Sequence, residues 1–177
     1  MTALRICPLQ ALAHDISAFR PNYVISISDD DETRRTAAHI LAMAGVAHYD
    51  LQFHDIDRVL PGFTGASVPM MRNLLAALDR DLPEAPVRLL VHCHAGLSRS
   101  PAVAMIALAH FRARQGAFDD RAALEVVSTV YEACPQAIPN KRVMRIGQKL
   151  FGAEGALMAH EARALSPRET VHAGAIW

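Results

Sequence analysis

The chain has 177 residues, of which 51% are apolar and 20% are charged, so it can bury enough surface for one domain and is not broadly disordered. Its 18 basic and 18 acidic residues give a formal net charge of +0, which excludes a whole-molecule attraction to nucleic acid or to an anionic membrane. Three cysteines are too few for a disulfide framework, and no apolar run reaches the roughly 20 residues of a membrane span, so we expect a cytoplasmic protein.

The first part of the chain alternates short strand-like segments with helical ones. A brief strand at 5–7 is followed by a helix with one apolar face. That face comprises Leu9, Leu12, Ile16 and Phe19. The alternating segment YVISIS at 23–28 predicts a second strand, and 32–44 predicts a helix that acidic residues cap and Gly45 ends. A third strand is predicted at 48–53.

The middle of the chain begins with a long loop at 54–67, which contains two glycines and a proline. Long ordered loops often carry function. The next helix has an apolar face and ends at the sequence PEAP. That face comprises Met71, Leu74, Leu75, Leu78 and Leu82. The segment at 88–93 is the most apolar strand and is predicted to be central. The run at 100–114 is apolar almost all round, which predicts a buried helix that Gly116 ends.

The last part of the chain predicts two more helices. Asp119 or Asp120 caps the first, and a helix at 140–151 follows, closed by Gly152. The first helix is predicted to bury Leu124, Val127, Val130, Tyr131 and Cys134. Residues 153–177 have weak periodicity and form a C-terminal tail for which no structure is predicted. The alternation of strands and helices predicts an α/β domain with a central, mostly parallel sheet of about four to five strands flanked by helices.

The sequence VHCHAGLSRSPA at 91–102 joins the most apolar predicted strand to the most apolar predicted helix. A loop in this position can point successive backbone N–H groups into one concavity, where the helix dipole adds partial positive charge. Gly96 permits the tight curvature, Ser100 can cap the following helix, and Pro101 suits its first turn. The segment is therefore predicted to bind an anion.

Two side chains add chemistry to this anion site. Cys93 lies at the mouth of the loop, where the dipole and the inward N–H groups favour thiolate over thiol, so we expect a nucleophile at neutral pH. Arg99, six positions later, carries a planar fork of donors that can hold two oxygens of a phosphate. The pair indicates chemistry at phosphorus.

The residues His92, Cys93, Arg99 and Ser100 resemble the HCx5R(S/T) signature of the protein tyrosine phosphatase superfamily. The short chain, which lacks a WPD-type tryptophan motif, resembles the compact dual-specificity branch, including bacterial tyrosine-phosphatase-like proteins. The resemblance implies a cysteine-phosphatase-like fold over residues 1–152, with no cofactor and no metal. It also implies that the phosphate is bound by His94, Ala95, Gly96, Leu97, Ser98 and Arg99.

The resemblance further implies a role for each residue of the site. Cys93 attacks phosphorus and forms a phosphocysteine, while Arg99 and the loop amides stabilise the phosphoryl oxygens. Ser100 donates a hydrogen bond to the departing thiolate, and His92 orients the loop. Asn140, in CPQAIPNKR, resembles the family's Pro-Asn whose amide supports the loop. A second interpretation of Asn140 is a helix N-cap.

A carboxylic acid must also protonate the leaving oxygen. The family supplies an aspartate from a loop upstream of the signature, and Asp55 is favoured because it directly follows the strand in YDLQFHDI. Its separation from Cys93 is somewhat longer than this branch leads us to expect, so Asp57 is a second candidate. The acidic cluster at 29–31 is a third source.

The expected substrate is a phosphorylated protein or a small aryl phosphate, with phosphotyrosine favoured and no nucleic acid or membrane as partner. A phosphoinositide ranks second, because positions 94–98 contain no lysine. Two rival functions are a pseudophosphatase that binds without turnover and a Cys-x5-Arg enzyme of arsenate reduction or sulfur transfer. The intact motif disfavours the first, and the lack of a second cysteine in the loop disfavours the second. Cys7 and Cys134 are expected to be core residues rather than redox partners of Cys93.

Overall fold

The computed structural model describes residues 2–82 and 86–167, which form four strands and six helices. The strands are β1 (Thr2–Pro8), β2 (Tyr23–Ser28), β3 (His48–Gln52) and β4 (Val87–Cys93). The helices are α1 (Leu12–Phe19), α2 (Asp31–Ala44), α3 (Val68–Asp81), α4 (Arg99–Arg114), α5 (Asp120–Ala133) and α6 (Lys141–Leu165). A short 3-10 turn, Leu9–Ala11, leads into α1. Among the helices in these ranges, none has the length and apolar character that crossing a membrane requires.

The strands form one sheet in the order β1-β4-β2-β3, and all neighbouring strands run parallel. This confirms the predicted α/β architecture and its mostly parallel sheet. β4 lies between β1 and β2 and is buried except at Arg88, which confirms the central position predicted for it. Since parallel strands all end at the same edge of a sheet, the C-terminal ends of β2, β3 and β4 lie side by side.

Alternate residues of β4 face different cores. Leu89, Val91 and Cys93 face the larger core, which α3, α4, α5 and α6 cover. Leu90 faces a smaller core beneath α1 and α2. The larger core contains α4, whose first eleven residues are all buried, as its apolar composition predicts. By the same alternation, the side chains of His92 and Cys93 leave opposite faces of the sheet.

The helix ends largely follow the predicted caps. The Asp30 carboxylate accepts a hydrogen bond from the Thr33 amide (2.7 Å) at the start of α2, and Gly45 ends that helix with a φ of 61°. Asp119, one of the two predicted candidates, caps α5. The helix break predicted at PEAP falls mainly on residues 83–85, which lie outside the described residues.

The face predicted for α5 is partly wrong. Leu124 is 40% exposed, whereas Ala123 and Val126 are buried. Apolar residues occupy more than one side of this helix, so their spacing alone does not select the buried face.

The helix predicted at 140–151 ends at Gly152, as predicted, and a second helix follows it within α6. α6 contains one non-helical residue, Gly152, with φ 66° and ψ −131°, and helix resumes after it as far as Leu165. The second half folds back on the first, so that a Cβ atom at Gly155 would lie 2.5 Å from the carbonyl oxygen of Gly147. Met158 and Ala162 are buried in the larger core.

The segment 153–165, for which the sequence predicts no structure, is therefore helical and packs against the larger core. Its weak periodicity has a physical cause, because glycine and alanine form much of its buried side and mark no apolar stripe. Residues 168–177 lie outside the described residues.

The close approach within α6 predicts different effects for two glycine substitutions. Gly155→Ala should lower the free energy of unfolding by about 2 kcal/mol, because its methyl group would overlap backbone atoms that cannot move aside. Gly147→Ala is the matched control: its Cβ would lie 3.4 Å from the flexible end of Met158, and the helix gains intrinsic propensity. We expect this control to change stability by less than about 1 kcal/mol. Equal losses in urea unfolding of the two variants would contradict the close crossing.

Candidate active site

Residues 93–99, which we call the 93–99 loop, join the end of β4 to the start of α4. Ser98 occupies the N-cap position of α4 without capping it, since its hydroxyl donates to Asp55 (2.8 Å) instead. The prediction that Ser100 caps this helix is wrong. Ser100 lies within the first turn and is fully buried, and its hydroxyl contacts the sulfur of Cys93.

Three carbonyl groups of the 93–99 loop are held away from its centre by backbone amides of other segments. The carbonyl oxygen of His94 accepts from the Leu9 amide (3.2 Å), and that of Leu97 accepts from the Ile138 amide (2.8 Å). The Ser98 carbonyl accepts from the Asn140 amide (3.1 Å). In a trans peptide the N–H group points opposite to the C=O group. The amides that follow these carbonyls therefore face the interior of the loop and form a concave set of donors.

Gly96 is required where the loop passes the end of β1. Its φ is 75°, and a Cβ atom there would lie 2.8 Å from backbone atoms of both Cys7 and Pro8. Any other residue would both strain the backbone and collide with β1. The glycine predicted to permit curvature therefore also permits close packing of the loop against the neighbouring strand.

The sulfur of Cys93 lies at the base of this concavity, and the residue is 2% exposed. The Gly96 amide donates to the sulfur at 3.2 Å, and the Ser100 hydroxyl oxygen lies 3.1 Å from it. Donors directed at sulfur stabilise negative charge on it. The sequence signature thus brings Cys93, Gly96 and Ser100 into direct contact.

Arg99 is held from two sides. One terminal nitrogen of its guanidinium donates to the Phe53 carbonyl oxygen (3.0 Å), and the other donates to the Asp29 carboxylate (3.2 Å). The side chain is 4% exposed, and its Nε has no hydrogen-bond partner among the described residues. A buried, charged donor without a partner is rare and indicates a place for an anion.

The contact between Asp29 and Arg99 is not predicted by the sequence analysis, which offers Asp29 only as a third source of the acid. A signal is present, because Asp29 directly follows β2 and the ends of β2 and β4 share one sheet edge. Its role in orienting Arg99 follows from topology rather than from any local motif.

The two candidate acids occupy different positions. Asp55 reaches the 93–99 loop: one carboxylate oxygen accepts from Ser98 and from Asn140 Nδ2 (2.7 Å), and the other lies 4.0 Å from Arg99 Nε. Asp57 instead lies at the N-terminus of α6, where it accepts from the Lys141 amide (3.2 Å). Of the two, Asp55 is therefore the one in contact with the loop that surrounds Cys93.

Asn140 combines a cap with a contact to the candidate acid. Its side-chain oxygen accepts from the Val143 amide (2.9 Å) and caps α6, while its side-chain nitrogen donates to Asp55. Its backbone amide holds the Ser98 carbonyl outward. One residue thus connects a helix, the candidate acid and the 93–99 loop.

His92 lies on the other face of β4, where its Nε2 forms a hydrogen bond with Ser26 Oγ (3.0 Å) on the adjacent strand. Burial lowers the pKa of His92 from 6.5 to about 4, and the nearby Arg99 charge acts in the same direction. The imidazole is therefore neutral near pH 7. A neutral, hydrogen-bonded side chain on the face opposite Cys93 fits a residue that orients the loop.

The other two cysteines lie beside the 93–99 loop but not within it. Burial raises the pKa of Cys7 to about 12 and also raises the pKa of Cys134. Cys134 Sγ donates a weak hydrogen bond to the Gly96 carbonyl at 3.6 Å. All three cysteines are free thiols in this structure.

Comparisons with known proteins identify the fold. No protein-family model matches the sequence, and neither does any curated protein. Human DUSP28 has a similar structure, with a TM-score of 0.58, 20% identity, and coverage of 89% of this chain and 94% of that chain. The PTP-2 phosphatase of Cydia pomonella gives a TM-score of 0.58 and 20% identity, covering 81% of this chain and 83% of its own. The active form of Tk-PTP gives 0.54 and 21%, covering 84% and 90%.

The chain therefore has the fold of the protein tyrosine and dual-specificity phosphatases. The cysteine-phosphatase-like fold that the sequence resemblance implies is thereby confirmed.

The buried His92 predicts a specific pH dependence of stability. In the unfolded chain the imidazole gains a proton below about pH 6.5, whereas in the folded chain it does so near pH 4. The unfolded state binds more protons between these values, so stability falls as the pH falls from 6.5 to 4, by about 3 kcal/mol from this group.

Urea unfolding of His92→Asn should show a correspondingly smaller fall over this pH range than the unsubstituted protein, while the exposed His14→Asn should show the same fall. Titration of the His92 ring by NMR gives a second measurement that needs no variant. An NMR pKa near 6.5 for this ring would refute the prediction.

Proposed function

We propose that this protein is a cysteine-dependent phosphomonoesterase that acts through a phosphocysteine, with phosphotyrosine in proteins as its substrate. The observation that carries the proposal is the buried Nε of Arg99, which has no partner in the part of the chain that the structure describes, together with a sulfur that lies under inward-facing amides. A bound phosphoryl group would satisfy these donors together and would bring its phosphorus atom over the sulfur. The likeness in fold to tyrosine and dual-specificity phosphatases supports the same reaction class.

In the first step the Cys93 thiolate attacks phosphorus opposite the ester oxygen. The S–P bond forms and the bond from phosphorus to the ester oxygen breaks. The loop amides and Arg99 stabilise the charge on the three remaining oxygens. Asp55 donates its proton to the leaving oxygen. Ser98 and Asn140 both donate to one oxygen of this carboxyl, which leaves the other to carry the proton.

In the second step a water molecule attacks the phosphocysteine. Asp55, now a carboxylate, accepts a proton from this water as the new P–O bond forms and the S–P bond breaks. The products are inorganic phosphate and the Cys93 thiolate. Ser100 lies 3.1 Å from the sulfur and donates a hydrogen bond to the thiolate as it departs, which restores the starting state.

Asp29 and the Phe53 carbonyl are positioning groups for this reaction. They occupy one donor on each terminal nitrogen of Arg99 and so prevent rotation of the guanidinium. The edge that includes Nε remains directed at the phosphoryl site. Pre-orientation of this kind lowers the reorganisation required when charge develops in the transition state.

An aryl phosphate fits the rim of the site better than an inositol phosphate does. Leu97 in the 93–99 loop is 39% exposed and offers an apolar contact to a tyrosine ring. Positions 94–98 contain no lysine that would bind additional phosphate groups of an inositol ring.

The free thiols of the three cysteines fit a reducing cytoplasm.

Hydrolysis of p-nitrophenyl phosphate tests the reaction class. The protein should release nitrophenol and phosphate with EDTA present, and Cys93→Ser should lower kcat by at least about a thousandfold because serine is not ionised near neutral pH. Cys134→Ser makes the same atomic change outside the loop and should retain activity within about threefold. Retained turnover in Cys93→Ser would refute the nucleophile. Binding of vanadate by the unsubstituted protein without turnover would identify a pseudophosphatase.

The acid can be identified from its dependence on the leaving group. With phenyl phosphate, whose leaving group is poor, Asp55→Asn should lower kcat by about a hundredfold, and with p-nitrophenyl phosphate the loss should be much smaller. Asp57→Asn is the matched control and should affect both substrates alike, by less than about threefold. A purely structural role of Asp55 would lower both rates equally. A leaving-group-dependent loss in Asp57→Asn alone would make Asp57 the acid.

A further inference from the structure

A groove of about 540 Å³ runs between the two halves of α6 and the segment that precedes this helix. Met144 and Ala162, which are both buried, form part of its apolar floor. The mechanism proposed above uses none of the side chains that line it.

The charged residues of the groove all have the same sign. Lys141, Arg145 and Arg163 line it, and none of its lining residues in the described part of the chain is Asp or Glu. Arg145 donates to a backbone carbonyl, that of Asp57, so this contact leaves its positive charge uncompensated. Lys141 forms a half-exposed ion pair with the Asp57 carboxylate (3.8 Å), so Arg145 and Arg163 carry most of the positive charge that remains. The groove therefore attracts negative charge although the whole chain is neutral.

One end of the groove adjoins the candidate active site. Ile138 lines the groove and its amide donates to Leu97 of the 93–99 loop. Asn140, next to Lys141, donates to Asp55. Elsewhere along the groove, the Tyr131 hydroxyl donates to the Ala162 carbonyl (2.7 Å) and holds the returning half of α6 beside the end of α5.

The distances suit a peptide that continues from the site. At 1.5 Å per helical residue, Arg145 lies only about 8 Å along α6 from Asn140. An extended peptide spans about 3.3 Å per residue, so a side chain two to four positions from the phosphorylated residue reaches Lys141 and Arg145 at the start of α6.

We propose that this groove binds acidic residues that flank the phosphorylated residue of a protein substrate. The inference rests on the proposed function and specifies its substrate class, an acidic phosphopeptide. An extended acidic segment places its backbone over the apolar floor and its carboxylates against Lys141, Arg145 and Arg163. The contribution is electrostatic and weakens as ionic strength rises.

Two phosphotyrosyl peptides test this assignment. One carries Glu two to four positions from the phosphotyrosine on both sides, and the other carries Gln at the same positions. We expect kcat/KM to be about fivefold higher for the acidic peptide at low salt, and the difference to shrink at 0.5 M salt. Arg163→Glu should reduce the preference below about twofold without changing hydrolysis of p-nitrophenyl phosphate.

Arg121→Glu is the matched control, because it makes the same change of charge on α5, where Arg121 is 86% exposed and does not line the groove. It should retain the fivefold preference. Equal kcat/KM for the two peptides, or equal effects of the two charge reversals, would overturn the groove assignment. Hydrolysis of a phosphoinositide in anionic vesicles that Arg163→Glu abolishes, with no peptide preference, would make the groove a lipid site and also overturn it.

Binding measurements separate this inference from the proposed reaction. Non-hydrolysable phosphonate versions of the two peptides report affinity by fluorescence anisotropy, whether or not turnover occurs. A protein that hydrolyses no substrate but binds the acidic peptide more tightly would refute the phosphatase activity and retain the groove. A protein that hydrolyses p-nitrophenyl phosphate and binds both peptides equally would retain the phosphatase activity and refute the groove assignment.

Discussion

The outward orientation of the carbonyl groups in the 93–99 loop is the constraint on which the site depends. Each of these carbonyls is held by an amide from a different part of the chain: Leu9 after β1, Ile138 before α6, and Asn140 at the start of α6. Without these anchors the peptide units could rotate, and the amides would lose their common direction. The packing of the sheet and the helices is therefore what creates the concave set of donors.

Arg99 is a buried charge whose hydrogen bonding is incomplete, and one anion would complete it. Asp29 and Phe53 satisfy part of the guanidinium, yet Nε remains without a partner among the described residues. Full satisfaction by protein groups would stabilise the chain but would leave no free donor for an anion. Partial satisfaction fixes the orientation of the side chain and keeps its binding edge available.

The sequence predicts those parts of the site that lie close together along the chain. Cys93, Gly96, Arg99 and Ser100 belong to one strand-loop-helix unit, so residue type and spacing predict that they lie together, whereas the anchors that orient the peptide units of the loop come from distant segments. The alternation of apolar segments predicts the parallel sheet and the central place of β4. These predictions need no knowledge of how distant segments pack.

The remaining features depend on tertiary packing. Asp55 and Asp57 lie two residues apart in one loop, so the sequence does not distinguish their positions. In the fold, Asp55 contacts Ser98, whereas Asp57 contacts Lys141 at the start of α6. The second half of α6 escapes prediction because glycine at a close helix crossing looks like an interruption in the sequence. The prediction for Leu124 is wrong because several apolar residues compete for one interface.

The amide of Asn140 gives its position an asymmetry that helix formation alone would not impose. As a cap it needs only an oxygen, which aspartate would supply equally well. Toward Asp55, 2.7 Å away, it must present N–H, and a carboxylate there would set two negative charges in contact. Aspartate would cap the helix as well as asparagine does, but the Asp55 carboxylate would repel it, so this substitution is unfavourable at position 140.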